Sequence, residues 1–327
     1  ERQSADDRLA VLDLPEADRR GLAGIEYEWL PGSVTDPDRV RAAVHGRDQV
    51  YHLAADPSLW HPDPGHFDAV NHQGTRHVLA ACQAAGVARV VYTSTESIVP
   101  PAGDAQPQDR VADARLADMP GPYCRSKFRA EQAALAFARD GLDVVIVNPT
   151  VPVGPGDRNQ TPPGRLLTAF LRGRVSGYLP GTINLVDVRD VAEGHVFAME
   201  RGRAGERYLL CGENFTWQKA FALLSELTGL RAPRMRVPYA VALAVAWLAE
   251  RRARWLGGPP PLATVTGVRL TRRPFVFDPA RTTDALGWAP RPVRESLVDA
   301  VQWTVDQGLA PRPPQLAAAS QGGSQPS

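Results

Sequence analysis

Six short apolar runs alternate with helix-period segments, and this rhythm constrains the fold more than any other feature. The runs are 8–14, closing near Asp13, then 25–30, 49–55, 89–94, 144–147 and 185–188. Helical segments fall at 37–44, 67–85, 123–139 and 190–200. Asp36-Pro37 opens the first, because Asp caps a helix and Pro suits its first turn. Gly86 stops the second. Strands that are apolar almost throughout are buried on both faces, as in a parallel sheet covered by helices. The expected fold is therefore α/β, a doubly wound Rossmann-type sheet with a smaller C-terminal lobe.

The pattern changes after Pro149, where Pro and Gly become dense up to Gly164. The expected division is the sheet domain at 1–150 and 183–204, a smaller lobe at 151–182 and 205–310, and a disordered tail at 311–327, rich in Pro, Ala, Ser, Gln and Gly. Net charge is +1 over 327 residues, which gives no sign of a nucleic-acid-binding surface. Three cysteines, Cys82, Cys124 and Cys211, are odd in number and far apart, without metal or disulfide spacing. No metal is expected, no signal peptide is read, and the expected location is the cytoplasm. The longest apolar run, 237–249, is too short to span a bilayer.

Chemistry concentrates in Pro122-Tyr123-Cys124-Arg125-Ser126-Lys127. Positions i and i+4 share a helix face, so the phenol and the ammonium point into one space. An ammonium nearby favours the phenolate, which makes Tyr123 a general acid/base with Lys127 lowering its pKa. The plain alternative is a surface Tyr one turn from an unrelated Lys. With seven tyrosines, and lysine only at 127 and 219, a chance match is expected about 0.04 times.

Ligands of an open parallel sheet sit beyond the carboxyl ends of its strands. Asp13, Ala54, Ala55, Ser94, Thr95, Pro149 and Thr150 fall at such ends. Thr95 could hold a substrate oxygen with Tyr123, or simply bond its own backbone. Asp13 could accept from an adenosine ribose, favouring NAD over NADP, or shape the Asp13-Leu14-Pro15 turn. Asn71 either bridges backbone groups or caps a helical turn, and the cap is the simpler reading.

Five ordered motifs carry a family resemblance: His52-Leu53-Ala54-Ala55, Asn71-His72-Gln73-Gly74-Thr75, Val91-Tyr92-Thr93-Ser94-Thr95, Tyr123-Cys124-Arg125-Ser126-Lys127 and Val186-Asp187-Val188-Arg189-Asp190-Val191-Ala192. The chain resembles the extended short-chain dehydrogenase/reductases of the NAD-dependent epimerase/dehydratase family. It is most similar to hopanoid-associated sugar epimerases, relatives of dihydroflavonol reductases, through Ala54 to Trp60, Val147 to Asp157, Asp190 to His195 and Gly205 to Asn214. The resemblance implies that Tyr123, Lys127 and Thr95 are catalytic. It implies that Leu53, Ala54, Ala55, Asn71, Ser94 and Pro149 to Val151 lie along NAD or NADP, with Lys127 also on the nicotinamide ribose. Dimers are common in that family, so a homodimer is a possible partner arrangement.

Three departures qualify the match. The family's first strand and Gly-rich turn are not found, and Gly21-Leu22-Ala23-Gly24 has no buried strand before it; the expectation is an N-terminal truncation of about 25–35 residues. Ser33 replaces the Asp usual near the adenine. Glu96 occupies a position that is acidic and catalytic in sugar-nucleotide dehydratases, but Ser97 follows instead of a second acid, and Glu96 reads better as a solvated loop residue.

The functional reading is an NAD(P)-dependent oxidoreductase or epimerase acting on a sugar-like secondary alcohol, hopanoid-associated by resemblance. Val151, where sugar-nucleotide epimerases often carry Asn, favours carbonyl reduction of the dihydroflavonol-reductase kind as the alternative. A non-catalytic cofactor-binding form is the reading of another class. Trp60 and Glu96 are candidate substrate residues, and Arg165 and Arg172 lie where the second lobe is expected to close. Residues 239–255, with Trp247, Trp255, Arg251, Arg252 and Arg254, read either as a membrane-surface helix or as a packed helix of the second lobe. The packed reading is favoured, because large apolar residues ring much of the segment.

Overall fold

The computed structural model describes residues 8–101, 107–109 and 111–316. The first half alternates strand and helix as expected: β1 (Ala10–Asp13), β2 (Glu28–Pro31), α1 (Pro37–Val44), β3 (Gln49–His52), α2 (Gly65–Phe67), α3 (Gly74–Ala85), β4 (Arg89–Thr93), α4 (Pro122–Arg139) and β5 (Val144–Pro149). Asp36 caps α1 through both the Asp38 and Arg39 N–H groups. Gly86 ends α3 in the left-handed region, at φ 69°.

The second half adds β6 (Val151–Val153), α5 (Pro162–Leu171), β7 (Gly177–Tyr178), β8 (Thr182–Asp187), α6 (Val188–Arg201), β9 (Arg207–Leu210), β10 (Glu213–Thr216), α7 (Trp217–Thr228), β11 (Met235–Arg236), α8 (Tyr239–Leu256), α9 (Val265–Leu270), α10 (Ala280–Leu286) and α11 (Val293–Asp306).

The main parallel sheet runs β3-β4-β5-β9, and β1 and β2 form a separate parallel pair. Both packs rest on one helical layer. Leu12 of β1 and Val50 of β3 meet the same core as Val40, Val44, Val78, Leu79 and Ile146. The opposite face of the sheet is closed by α6, Leu286 and the fully buried Trp288, whose indole N–H donates to the Asp190 carbonyl. A third core, from α5, α7, α11 and the sheet β10-β8-β6, fills the smaller lobe.

Three expected boundaries move. β8 pairs with β6 and β10, so 182–187 belongs to the small sheet, although α6 after it packs on the main one. β9, expected in the second lobe, is the main-sheet strand beside β5. The expected tail is packed over 311–316: Leu316 is 3% exposed in the small-lobe core, and the Gln315 N–H donates to the Thr228 carbonyl. Residues 317–327 lie outside the described residues. A Pro-rich composition argues for disorder only while no apolar anchor follows, and Leu316 is that anchor.

Candidate active site

Most of the strand ends expected to carry the site are the carboxyl ends of the neighbouring parallel strands β3, β4 and β5. β3 ends in His52, which is buried and bonded to Thr75 Oγ1 at 2.9 Å; burial and the nearby Lys127 hold its pKa down at about 3. The chain then emerges: Leu53 is 57% exposed, Ala54 is exposed and Ala55 half-buried. Small side chains there leave the backbone open to a flat ligand. At the end of β4, Thr95 caps a single 3-10 turn, Glu96–Ile98. Its hydroxyl accepts from the Ser97 N–H at 3.2 Å, donates to Glu96 Oε2 at 2.9 Å and lies 3.1 Å from Ser97 Oγ. The own-backbone bond and the placement beside the reactive phenol therefore hold together.

Tyr123 stands in the first turn of α4, buried, its ring edge-on to Phe67 at 6.2 Å between centroids. Burial and the Glu96 charge push the pKa of the phenol above the ordinary tyrosine value, outweighing the neighbouring hydroxyls of Thr95 and Ser97. This corrects the expectation that Lys127 lowers it. The Lys127 ammonium donates to the Thr93 carbonyl at 2.6 Å and lies 4.9 Å from the centre of the Tyr92 ring. Burial brings Lys127 itself down to about 8, against the pull of Glu131. In this arrangement Tyr123 is a protonated acid at neutral pH.

Glu96 is also corrected: it is half-buried, not solvated, and burial raises its carboxyl to about 7. Asn71 is the bridge and not the cap. Its Oδ1 accepts the Asp56 N–H at 2.7 Å, and its Nδ2 donates to the Asp56 carbonyl at 3.2 Å and to Ser126 Oγ at 3.0 Å. Asn71 lies in a π-helical turn, Asp68–Gln73, which turns the amide toward that loop.

Other expected residues do less. Asp13 is exposed and its Oδ1 accepts the Leu14 N–H, so the turn reading describes it here. The Thr150 N–H donates to the Leu210 carbonyl, and its hydroxyl to Asn184 Oδ1. Pro149 is buried and Val151 half-buried beside it. Trp60 is buried near the site. Arg172 holds the Leu309 carbonyl and Arg165 the Pro260 carbonyl, which makes both packing residues.

Several residues of the site escaped the sequence reading. Glu131, one turn beyond Lys127, is buried and accepts from Ser94 Oγ at 2.5 Å and Asn148 Nδ2 at 2.8 Å. Asn148 Nδ2 also reaches the Thr95 carbonyl at 3.2 Å. The i, i+4 spacing from Lys127 to Glu131 was available as a signal. Arg273, which holds the Ser97 carbonyl at 2.8 Å from far along the chain, gave none. The second lobe closes on α4 at Gly121, where a Cβ would overlap the Thr266 side chain.

The NAD dependent epimerase/dehydratase family model matches residues 3–211. The chain belongs to that family. A Synechocystis sp. protein that carries dihydroflavonol 4-reductase as a provisional name is 37% identical over 291 residues, 88% of this chain and 84% of that one. Sterol demethylase protein B of Methylococcus capsulatus is 33% identical over 298 residues, 90% of each. A crystal structure of a nucleoside-diphosphate-sugar epimerase from Pseudomonas aeruginosa superposes with a TM-score of 0.75 at 27% identity, covering 93% of this chain and 91% of that one. The protein is thus an NAD(P)-dependent enzyme of the epimerase/dehydratase family with a Rossmann-type fold. The residues that would meet the nicotinamide half of such a cofactor are Tyr123 and Lys127, both buried on α4, with Ser94 and Thr95 just past the end of β4. For the pyrophosphate half, no Gly-rich turn stands between strand and helix among the described residues.

Proposed function

We propose that this enzyme interconverts a ketone and a secondary alcohol on a largely apolar substrate, with Tyr123 as the acid/base and reduction as the favoured direction. One observation carries the reading: a buried Tyr123 in the first turn of α4, beside the paired hydroxyls of Thr95 and Ser97. A nicotinamide bound beside this group supplies or takes the hydride. Tyr123 gives its proton to the carbonyl oxygen in reduction and takes it back in oxidation. Thr95 and Ser97 orient that oxygen, Asn71 and Glu131 fix the frame, and Lys127 has further N–H donors for a ribose hydroxyl.

The hydrophobic cluster that lines Tyr123 contains Phe67, Ile98 and Met119, with Leu59, Phe128 and Leu270 beside them, while Thr95, Glu96 and Ser97 lie on its polar side. That lining, and the likeness to a protein named for sterol demethylation, favour an isoprenoid- or sterol-like alcohol over a highly hydroxylated one. Epimerisation of a sugar-like substrate, hopanoid-associated as the motifs imply, is the second reading, and the likeness to a sugar epimerase favours it. The three free cysteines are all buried and fit a reducing cytoplasm. Among the described residues no helix is long and apolar enough to cross a membrane.

The test is nicotinamide absorbance with NADH and NADPH against a panel of steroidal and cyclic ketones and nucleotide sugars. Turnover of apolar ketones, lost by about a hundredfold to ten-thousandfold in Tyr123→Phe with cofactor affinity retained, is expected. Turnover confined to nucleotide sugars would favour epimerisation. Activity untouched by the substitution would remove Tyr123 from the chemistry, and cofactor binding with no turnover of any panel member would return the non-catalytic reading.

A further inference from the structure

Helix α8 packs with its small side and exposes its large one. Ala242 and Ala246 are buried against Val268, with Val265, Leu243 and Tyr239 at the edges. Val241, Val245, Trp247 and Leu248 face outward, each at least half exposed, and Trp255 and Leu256 are 75% exposed. This reverses the expected packed helix: the large apolar residues that argued for burial lie on the outside. In water such a face is costly to leave uncovered.

Its charge says what covers it. Between residues 231 and 256 stand six arginines, Arg231, Arg234, Arg236, Arg251, Arg252 and Arg254, and one acid, Glu250. The Glu250 carboxylate accepts the Val265 N–H at 2.7 Å, on the packed side. The guanidinium of Arg251 lies 4.8 Å from the Trp247 ring centre and 4.9 Å from that of Trp255. Indoles beside guanidinium groups, over a helix with an apolar outer face, match the polarity step between acyl chains and anionic headgroups. A second copy seated on this face would oppose arginines to arginines, which is unfavourable.

We propose that the outer face of α8 is a docking surface for an anionic lipid bilayer, holding the enzyme peripherally with the Trp255 end inserted. α8 packs on α9, whose Thr266 abuts Gly121 at the start of α4 and whose Leu270 joins the cluster around Tyr123. Docking therefore brings the crevice within one helix of the lipid, where an apolar substrate would be found. That link to the crevice rests on the substrate class proposed above; the docking itself does not.

The whole chain would be sedimented with phosphatidylcholine vesicles, and with the same vesicles carrying about one phosphatidylglycerol in three. Pelleting with the anionic vesicles is expected. Arg251→Glu/Arg252→Glu/Arg254→Glu weakens it about a hundredfold, since each basic residue near such a surface contributes on the order of fivefold. Trp255→Ser/Leu256→Ser abolishes insertion, read as loss of tryptophan quenching by brominated lipid. The quenching of the unmodified chain tests the same point without any variant. No pelleting, or pelleting indifferent to both variants, overturns the proposal. So does a dimer in sedimentation velocity that Trp255→Ser/Leu256→Ser dissolves, since the face would then join two copies. The assay reads no turnover, so its failure leaves the role of Tyr123 standing, and Tyr123→Phe is expected to bind vesicles as the parent does.

Discussion

At Tyr123 two opposing effects meet. The polar neighbourhood of Thr95 and Ser97 favours the phenolate, while burial and the neighbouring carboxylate of Glu96 oppose it more strongly. The proton stays on, which suits a group that must give it to a carbonyl. Glu96 is the titrating partner, with its carboxyl at about 7 in the folded chain against an ordinary 4.5. The folded state therefore binds the proton more tightly than the unfolded one, and stability attributable to Glu96 falls as pH rises through that window. His52, held neutral by burial, works the other way at lower pH, so the whole-protein melt is a poor reporter. Comparison with Glu96→Gln isolates the effect. Between about pH 5 and pH 8 the parent should lose about 1–3 kcal/mol relative to that variant. Thermal melts at four or five pH values would show it, and parallel curves would mean that Glu96 ionises freely.

At the scale of elements, the π-helical turn Asp68–Gln73 fastens the loop after β3 to α4 through one amide. Removing it leaves the Asp56 backbone groups and Ser126 with fewer partners in a buried place. Asn71→Ala is expected to destabilise by about 2–3 kcal/mol. Proteolysis should then cut first in the loop at 53–64; a variant as resistant as the parent would show that the loop is held elsewhere. At the other end of the chain, Leu316 fills the small-lobe core beyond α11. Leu316→Ala should cost about 2–4 kcal/mol, measurable by urea unfolding, although composition assigns that stretch to a tail.

Across the molecule, β5 is paired on both sides by β4 and β9, whereas among the described residues β1 and β2 pair only with each other. Two-stranded ribbons open more readily than central strands. Amides of β1 and β2 should exchange at least about tenfold faster than those of β5 in native-state hydrogen exchange. Equal protection would show that the two sheets open as one unit. The lobes meet where Gly121 leaves room for Thr266, so the small lobe both walls the crevice and carries α8 to the surface.

Because strand and helix periods are local properties, the alternation of apolar runs and amphipathic helices was enough to fix the α/β class and the order of eight elements up to β5, although the single helix expected at 67–85 is broken into the end of α2, a π-helical turn and α3. The Tyr123/Lys127 pair and Thr95 were legible for the same reason: four residues on a helix, or one past a strand, define a direction. Local pattern could not assign β9 to the main sheet or 182–187 to the small one, since pairing joins residues far apart in sequence. Nor could it find Arg273 on the Ser97 carbonyl, or tell that Glu96 is half-buried. The side of α8 that faces outward was equally beyond it. Burial is a property of what surrounds a residue, and only the tertiary structure decides the surroundings; here it turned a tyrosine expected to have its pKa lowered by Lys127 into a protonated acid beside a lysine held by the Thr93 carbonyl.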